Sequence, residues 1–271
     1  MNNNENRYPL WEKEVPFFEP NINQEAPTLT YYAPEGNREG SVGCVIVLPG
    51  GGYCSLAVHE GQPIAEMYNK AGFAAFVLRY RVDPYRYPAI FADVHRAVRW
   101  VRYHAAEFNI NPEKIAVLGF SAGGHLAMVA CEHFDYGRTD GDEIDAVSSR
   151  PNAGILCYPV ISLFSSNTHV GSRESLLGYE KNDVYMQERY SGEINVRLDM
   201  PSIFFWHTAE DNCVDVRNSL DMAAAMRKIG VPFEMHVFPY GGHGVGLGYE
   251  NNPHASQWCQ LSCNWLKLLE F

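Results

Sequence analysis

The chain has 271 residues, of which 46% are hydrophobic, so the sequence predicts one globular domain over residues 1–271. Its 21 Lys and Arg residues and 32 Asp and Glu residues give a formal net charge of -11. Phosphate backbones and anionic membranes repel a chain of this charge, so we expect no nucleic-acid partner and no membrane partner.

The N-terminal stretch MNNNENRYPLWEKEVPFFEP lacks the basic and apolar regions of a secretion signal, and no later run reaches about 18 apolar residues. We therefore expect a cytoplasmic protein. The seven cysteines are scattered without a Cys-x-x-Cys pair, which argues against a disulfide framework and a zinc site. No metal and no organic cofactor is predicted.

The first predicted strands are TLTYYAP and VGCVIVLPGGG, separated by the turn-rich EGNREGS. This arrangement predicts a hairpin at a sheet edge, so residues 1–41 would be an N-terminal arm and an edge hairpin strand. Strand-like and helix-like segments then alternate: the helix QPIAEMYNKAGF, the strand AAFVLRYR, the helix AIFADVHRAVRWVRYHAAEF, the strand KIAVLGF, a helix over 122–131, the strand GILCYPV, the strand SIFFWHTA, a helix over 216–229, the strand FEMHVFPY and the helix HASQWCQLSCNWLKLLE.

Continuous apolar strands that alternate with amphipathic helices predict an α/β fold, with a mostly parallel central sheet and helices on both faces. The segment 161–200 has no strong periodicity and is interpreted as an irregular, cap-like insertion over the sheet. Binding sites in such folds lie at the carboxyl ends of the strands.

The stretch VLGFSAGGHLA places Gly119-Phe120-Ser121-Ala122-Gly123 at a predicted strand-to-helix turn. The two glycines allow close approach of neighbouring backbone, so Ser121 is expected on a tight turn above the sheet. An ordinary Gly-rich turn is the alternative. His125, one turn into the helix, is expected to pack or cap rather than react.

A serine nucleophile needs a base, and the base needs an orienting group. His243 follows a late strand and is flanked by glycines, whereas His95, His104 and His236 lie within predicted helices or strands. Asp211 follows the preceding strand and is the favoured acid. Its neighbours Glu210 and Asp215 remain candidates, with solvated or helix-capping roles as their alternative.

The loop LPGGGYCS follows the second strand and offers the backbone N–H groups of Gly51 and Gly52 to a developing oxyanion, with that of Ala122 as a third donor. Phosphate binding is disfavoured because no Gly-Lys-Ser/Thr follows these glycines.

From about Val42 to the C-terminus the chain resembles the α/β-hydrolase superfamily, in particular its acetyl-xylan and feruloyl esterase-like group and its hormone-sensitive-lipase-like branch. The matching stretches are PGGGY, YPAIFADVHRAVRWVR, NPEKIAVLGFSAGGHLA, HTAEDNCV and YGGHG. Pro49 replaces the histidine of the lipase-like His-Gly-Gly-Gly, which favours the sugar-esterase group. Asp215 after Val214 departs from the Val-Pro that relatives often carry after the acid.

The resemblance implies a serine esterase in which Ser121, Asp211 and His243 form a triad and Gly51, Gly52 and Ala122 form the oxyanion hole. The alternatives are a general short-chain carboxylesterase or lipase-like enzyme, a peptidase or acyltransferase with the same triad, and a non-enzymatic ligand receptor. The peptidase and the receptor are less favoured, because a peptidase of this superfamily usually brings an additional domain and a receptor usually has a damaged triad.

The expected substrate is a short acyl ester, most often acetyl, of a sugar-like or other small alcohol. The polar residues of segment 161–200 argue against an apolar lid for a long acyl chain. Tyr53, beside the oxyanion loop, is predicted to bind substrate through its aromatic face. The sequence is also compatible with a homo-oligomer.

Overall fold

The computed structural model describes residues 6–36 and 40–271. Residues 1–5 of the predicted arm and 37–39 of the predicted turn lie outside this range. The strands are β1 (Arg7–Pro9), β2 (Thr28–Tyr32), β3 (Val42–Leu48), β4 (Ala74–Arg79), β5 (Ile110–Phe120), β6 (Ala153–Cys157), β7 (Ser202–Thr208) and β8 (Phe233–Phe238).

Five helices lie where helical segments are predicted, and three further helices lie in succession between β6 and β7. They are α1 (Gln62–Ala71), α2 (Ala89–Tyr103), α3 (Ala122–Glu132), α4 (Val170–Leu177), α5 (Val184–Arg189), α6 (Gly192–Asn195), α7 (Arg217–Ile229) and α8 (Trp258–Leu268). Gly72 and Gly230, both in the left-handed region at φ 91° and φ 93°, end α1 and α7. In the part of the chain that the structure describes, no helix is long and apolar enough to cross a membrane.

One sheet of eight strands has the order β1-β2-β4-β3-β5-β6-β7-β8. The strands from β4 to β8 in this order pair in parallel, whereas β2 pairs antiparallel with β1 and β4. The prediction of a mostly parallel sheet is confirmed.

The predicted hairpin between β2 and β3 is wrong. β3 is buried along nearly its whole length, so it needs neighbours on both sides and lies between β4 and β5. β2 therefore joins the sheet at the free side of β4, with Thr28 opposite Arg79. Strands adjacent in sequence are here separated by another strand.

Alternate residues of β3 face two different apolar clusters. Cys44, Ile46 and Leu48 belong to the cluster that contains buried residues of α2, α3 and α7, and Val45 and Val47 belong to the cluster of α1 and α8. Helices thus cover both faces of the sheet, as predicted. The fold is that of the α/β hydrolases.

The segment 161–200 is more regular than its sequence suggests. It contains α4, α5 and α6 rather than irregular chain. Its start is anchored by Asn218 at the N-terminus of α7, whose side-chain oxygen accepts hydrogen bonds from the N–H groups of Ile161 and Ser162 at 2.9 and 3.0 Å. Helices of four to eight residues carry too few turns for a periodic pattern to be read from the sequence.

Candidate active site

Ser121 lies on a strained turn between β5 and α3. Its backbone has φ 53° and ψ -118°, a conformation that costs free energy and is retained only where the surroundings impose it. A Cβ on Gly119 would lie 1.9 Å from the carbonyl oxygen of Gly123, and one on Gly123 would lie 2.2 Å from that of Leu48. The two glycines of the motif are therefore required by direct backbone contact.

The structure brings Ser121, His243 and Asp211 into one hydrogen-bonded row. His243 Nε2 is 2.8 Å from Ser121 Oγ, and His243 Nδ1 is 2.7 Å from Asp211 Oδ2. Because a carboxylate only accepts, Nδ1 carries the proton and Nε2 is the acceptor for the serine hydroxyl. The His243 side chain retains 19% of its exposure, while that of Asp211 is buried. A ring nitrogen that can accept a proton therefore lies in hydrogen-bond contact with the Ser121 hydroxyl, the arrangement that activates a serine nucleophile.

Asp211 is held on both carboxylate oxygens. Its Oδ1 accepts from the N–H groups of Cys213 and Val214 at 2.9 and 3.0 Å. Its Oδ2 faces His243, and the Nε2 atom of buried His207 lies 3.4 Å away. Burial pushes the pKa of Asp211 upwards, but the His207 and His243 rings and the Val214 N–H outweigh it and lower the pKa, so the group is a carboxylate at neutral pH.

The two competing acids have other partners. Glu210 Oε1 accepts from the N–H of Gly241 at 2.7 Å and so ties the loop before His243 to the acid loop. Asp215 Oδ1 accepts from the N–H of Arg217 at 2.8 Å, at the start of α7. Neither contacts the imidazole, so the geometry favours Asp211 as the orienting acid.

The Gly-rich loop after β3 lies against Ser121. A Cβ on Gly50 would be 3.1 Å from the Ser121 Cβ. Gly51 and Gly52 have φ 127° and φ 65°, which only glycine adopts without strain. Within residues 6–36 and 40–271, the N–H groups of Gly51 and Gly52 have no hydrogen-bond acceptor. That of Ala122 begins α3 and has no intrahelical acceptor. Free donors beside the hydroxyl suit a developing oxyanion.

Tyr53 does not offer the aromatic face that the sequence predicted, and that expectation is corrected. The residue is 0% exposed, because its ring packs in the core between Tyr80 and His125. Its hydroxyl donates to His125 Nδ1 at 2.7 Å, and His125 Nε2 donates to the carbonyl of Tyr190 at 2.8 Å. Tyr53 thus links the Gly-rich loop after β3 to α3 and to the segment 161–200.

His125 packs as expected, but it also connects three parts of the site, which the sequence did not indicate. Burial lowers its pKa to about 4, so the ring is neutral and can accept on one nitrogen while donating on the other. Its position on α3, one turn after Ser121, was the signal available in the sequence. Nothing in the sequence identified its partners.

The segment 161–200 reaches the site through His169. Its Nε2 lies 3.7 Å from the Sγ atom of Cys213, two residues after Asp211. Burial and the neighbouring His243 lower the pKa of His169. The segment therefore borders the loop that carries Asp211. Within residues 6–36 and 40–271, no group of three or more His, Cys, Asp or Glu side chains is arranged to hold a metal ion.

Comparison with known proteins places this geometry in a family. The chain matches the BD-FAE family over residues 29–226. It is 39% identical over 222 residues to endo-1,4-beta-xylanase B of Butyrivibrio fibrisolvens, covering 79% of this chain and 34% of that protein. It is 35% identical over 227 residues to an acetylxylan esterase of Xylanibacter ruminicola, covering 82% of this chain and 45% of that protein. The chain thus spans less than half the length of these two relatives.

A solved structure resembles the chain over nearly its full length. The acetyl ester-xyloside bifunctional hydrolase of Caldicellulosiruptor lactoaceticus superposes with a TM-score of 0.93 at 43% identity, covering 98% of this chain and 96% of that one. The range matched to the family, residues 29–226, includes the strand-to-helix turn at Ser121 and the loop that carries Asp211. The chain belongs to the BD-FAE family of α/β hydrolases.

Proposed function

We propose that the protein is a serine esterase that removes acetyl groups from sugar esters through an acyl-enzyme intermediate. The observation that carries the proposal is the row of contacts from Ser121 Oγ to His243 and Asp211, at 2.8 and 2.7 Å, on a strained turn. Three related proteins support a sugar ester as the substrate. They are named as a xylanase, an acetylxylan esterase and an acetyl ester-xyloside hydrolase.

In the first step Ser121 attacks the ester carbonyl while His243 accepts its proton at Nε2. Asp211 keeps the imidazole in the required tautomer and stabilises the imidazolium. The N–H groups of Gly51, Gly52 and Ala122 are the proposed oxyanion donors, and each such donor contributes about 2.7–4 kcal/mol of transition-state stabilisation in enzymes of this kind.

In the second step His243 returns the proton to the leaving alcohol, and the acyl group remains on Ser121. Water then enters, loses a proton to His243 and attacks the acyl carbonyl. Collapse of this intermediate releases the carboxylic acid and restores the serine hydroxyl. The chemistry is complete with the side chains and backbone donors of this chain, without a cofactor.

The substrate class is tested by a series of p-nitrophenyl esters from acetate to octanoate, assayed beside acetylated xylo-oligosaccharides. We expect the highest kcat/KM with acetate and release of acetate from the sugars. Ser121→Ala is the matched control, because it removes one oxygen atom. A kcat/KM that rises towards octanoate, with no acetate released from the sugars, would contradict the sugar-ester proposal and favour a lipid-type carboxylesterase.

A further inference from the structure

Glu60 is a buried carboxylate beside the oxyanion loop. It lies at the end of a short 3-10 turn, Val58–Glu60, between β3 and α1, and is 2% exposed. Its Oε2 accepts from the N–H of Gly50 at 2.8 Å. A Cβ on Gly50 would lie 2.7 Å from Glu60 Oε2 and 3.1 Å from the Ser121 Cβ. Gly50 is therefore close to both the carboxylate and Ser121.

The other carboxylate oxygen reaches the loop that carries His243. Glu60 Oε1 accepts from the hydroxyl of Tyr158 at 2.6 Å, and the Tyr158 oxygen accepts from the N–H of Gly246 at 3.0 Å. The Tyr158 ring packs edge to face on the His243 ring, with centroids 4.9 Å apart at 65°. A continuous path thus runs from Gly50 through Glu60 and Tyr158 to His243.

Two acceptor oxygens are needed at this position. Burial raises the pKa of Tyr158 well above its usual value, and the nearby Glu60 carboxylate raises it further. The Tyr158 hydroxyl therefore keeps the proton that it donates. A glutamine at 60 would supply one acceptor, and its NH₂ group would then face the Gly50 N–H or leave the Tyr158 proton without an acceptor. The carboxylate satisfies both ends of the path.

The Glu60 carboxylate has little compensating charge around it. A buried carboxylate is costly unless it is paired. In the described part of the chain, the only basic side chain within 4 Å of the Glu60 carboxylate is that of His59, at 3.6 Å. An apolar side chain would avoid the desolvation cost, but it would leave the Gly50 N–H and the Tyr158 hydroxyl without acceptors. The carboxylate therefore fits the site through its contacts with these two donors.

We infer that Glu60 is a positioning residue, which aligns the oxyanion loop through Gly50 and the His243 loop through Tyr158. The inference rests on the proposed function, because it assigns Gly51 and Gly52 as oxyanion donors. Loss of the Glu60 contacts would displace these donors from the transition state more than from the bound ester, so kcat falls and KM is retained.

The test compares Glu60→Gln, Tyr158→Phe and Glu66→Gln with the unmodified enzyme. Glu66→Gln is the matched control, since it makes the same charge change at an exposed position on α1. Two rates are measured: hydrolysis of p-nitrophenyl acetate, and phosphorylation of Ser121 by diethyl p-nitrophenyl phosphate. The concentration of active sites is titrated with the same phosphate ester, and both rates are expressed per active site. Cooperative thermal unfolding is followed by circular dichroism.

For Glu60→Gln we expect kcat per titrated site to fall by about 10- to 100-fold with KM within about twofold, which is less than removal of an oxyanion donor. Phosphorylation should slow in parallel. Tyr158→Phe keeps the Gly50 contact, so its loss should be smaller, at about fivefold. Glu66→Gln should stay within about twofold of the unmodified enzyme.

A kcat per titrated site within about twofold of the unmodified enzyme in Glu60→Gln would overturn the inference, as would a loss confined to KM. If Glu60→Gln does not fold, Tyr158→Phe decides by the same criterion. If the unmodified enzyme hydrolyses no ester, the proposed function fails, whereas the ratio of phosphorylation rates still tests the positioning role.

Discussion

Replacement of His125 by glutamine should reduce the dependence of folding stability on pH. The folded-state pKa of His125 is lowered from 6.5 to about 4 because the ring is buried. Between these two values the unfolded chain binds a proton that the folded protein excludes. Stability from this residue is therefore fully present above pH 6.5 and is lost as pH falls towards 4.

The size of the effect follows from the two pKa values. One pKa unit corresponds to about 1.4 kcal/mol, so the shift of the His125 pKa corresponds to about 3 kcal/mol of folding stability, most of which is lost between about pH 7.5 and about pH 4.5. Glutamine can still donate to the Tyr190 carbonyl and accept from the Tyr53 hydroxyl, but it does not titrate. His95 and His133, whose pKa values are also lowered by burial, are present in both proteins.

The measurement is urea unfolding of both proteins at several pH values, followed by circular dichroism. The free energy of unfolding of the unmodified protein should drop by about 2 to 3 kcal/mol more than that of His125→Gln over this range. His254→Gln makes the same substitution at an exposed position and is the matched control. Parallel curves for His125→Gln and the unmodified protein would refute a neutral, buried His125.

Three further predictions concern the strained turn at Ser121 and the loop that carries Asp211. Ser121→Ala should abolish ester hydrolysis while cooperative unfolding persists, and turnover near that of the unmodified enzyme would reject the nucleophile. Asp211→Asn should lower kcat by about 10⁴-fold in a p-nitrophenyl acetate assay, since the imidazole loses its required tautomer, whereas Glu210→Gln should cost far less; the reverse order would identify the wrong acid. Gly123→Ala should destabilise the fold by about 3 kcal/mol or more in thermal unfolding, because the added Cβ would clash with the β3 backbone. Gly242→Ala is the control and should not destabilise the fold, because open space surrounds that position. Equal effects of the two substitutions would contradict the packing argument.

The row of Ser121, Asp211 and His243 could be anticipated because each residue lies on the loop or turn that follows a predicted strand. Carboxyl ends of parallel strands meet at one edge of a sheet, so three separate loops converge there whatever their intervening sequence. Only the choice among the acids needed coordinates. Glu210 and Asp211 are adjacent in the chain, and their different partners, Gly241 and His243, depend on where each side chain points.

The position of β2 could not be derived from the chain order. Its neighbours in the sheet are β1 and β4, and the β3 strand that follows it is one strand further inside. A short turn-rich connection predicts a hairpin, because nearby strands usually pair. Here the burial of β3 on both faces outweighs that tendency, since an interior strand gains two sets of backbone hydrogen bonds.

Tyr53 shows why side-chain direction limits sequence reasoning. A tyrosine after a Gly-rich loop can face a ligand or the core, and both placements satisfy its polar hydroxyl. Its φ of 62° turns the ring inwards, where the hydroxyl finds His125. The same limit applies to Glu60, which in sequence is an ordinary charged residue before α1. Its role depends on a partner, Tyr158, that lies 98 residues away.

The buried polar side chains explain how loops from different strands form one site. The Gly-rich loop at residues 49–53 follows β3, Ser121 follows β5 and the His243 loop follows β8, so the sheet fixes their bases but not their tips. Glu60 ties the first loop to the last, and His125 ties the first to α3. Breaking a buried hydrogen bond costs about 1–3 kcal/mol when the partner is left unsatisfied, which is comparable to the strain stored at a residue such as Ser121. These contacts hold the strained turn and the donors in register, so changes at them should alter turnover and stability together, whereas changes on exposed faces of α4 and α5 should alter neither.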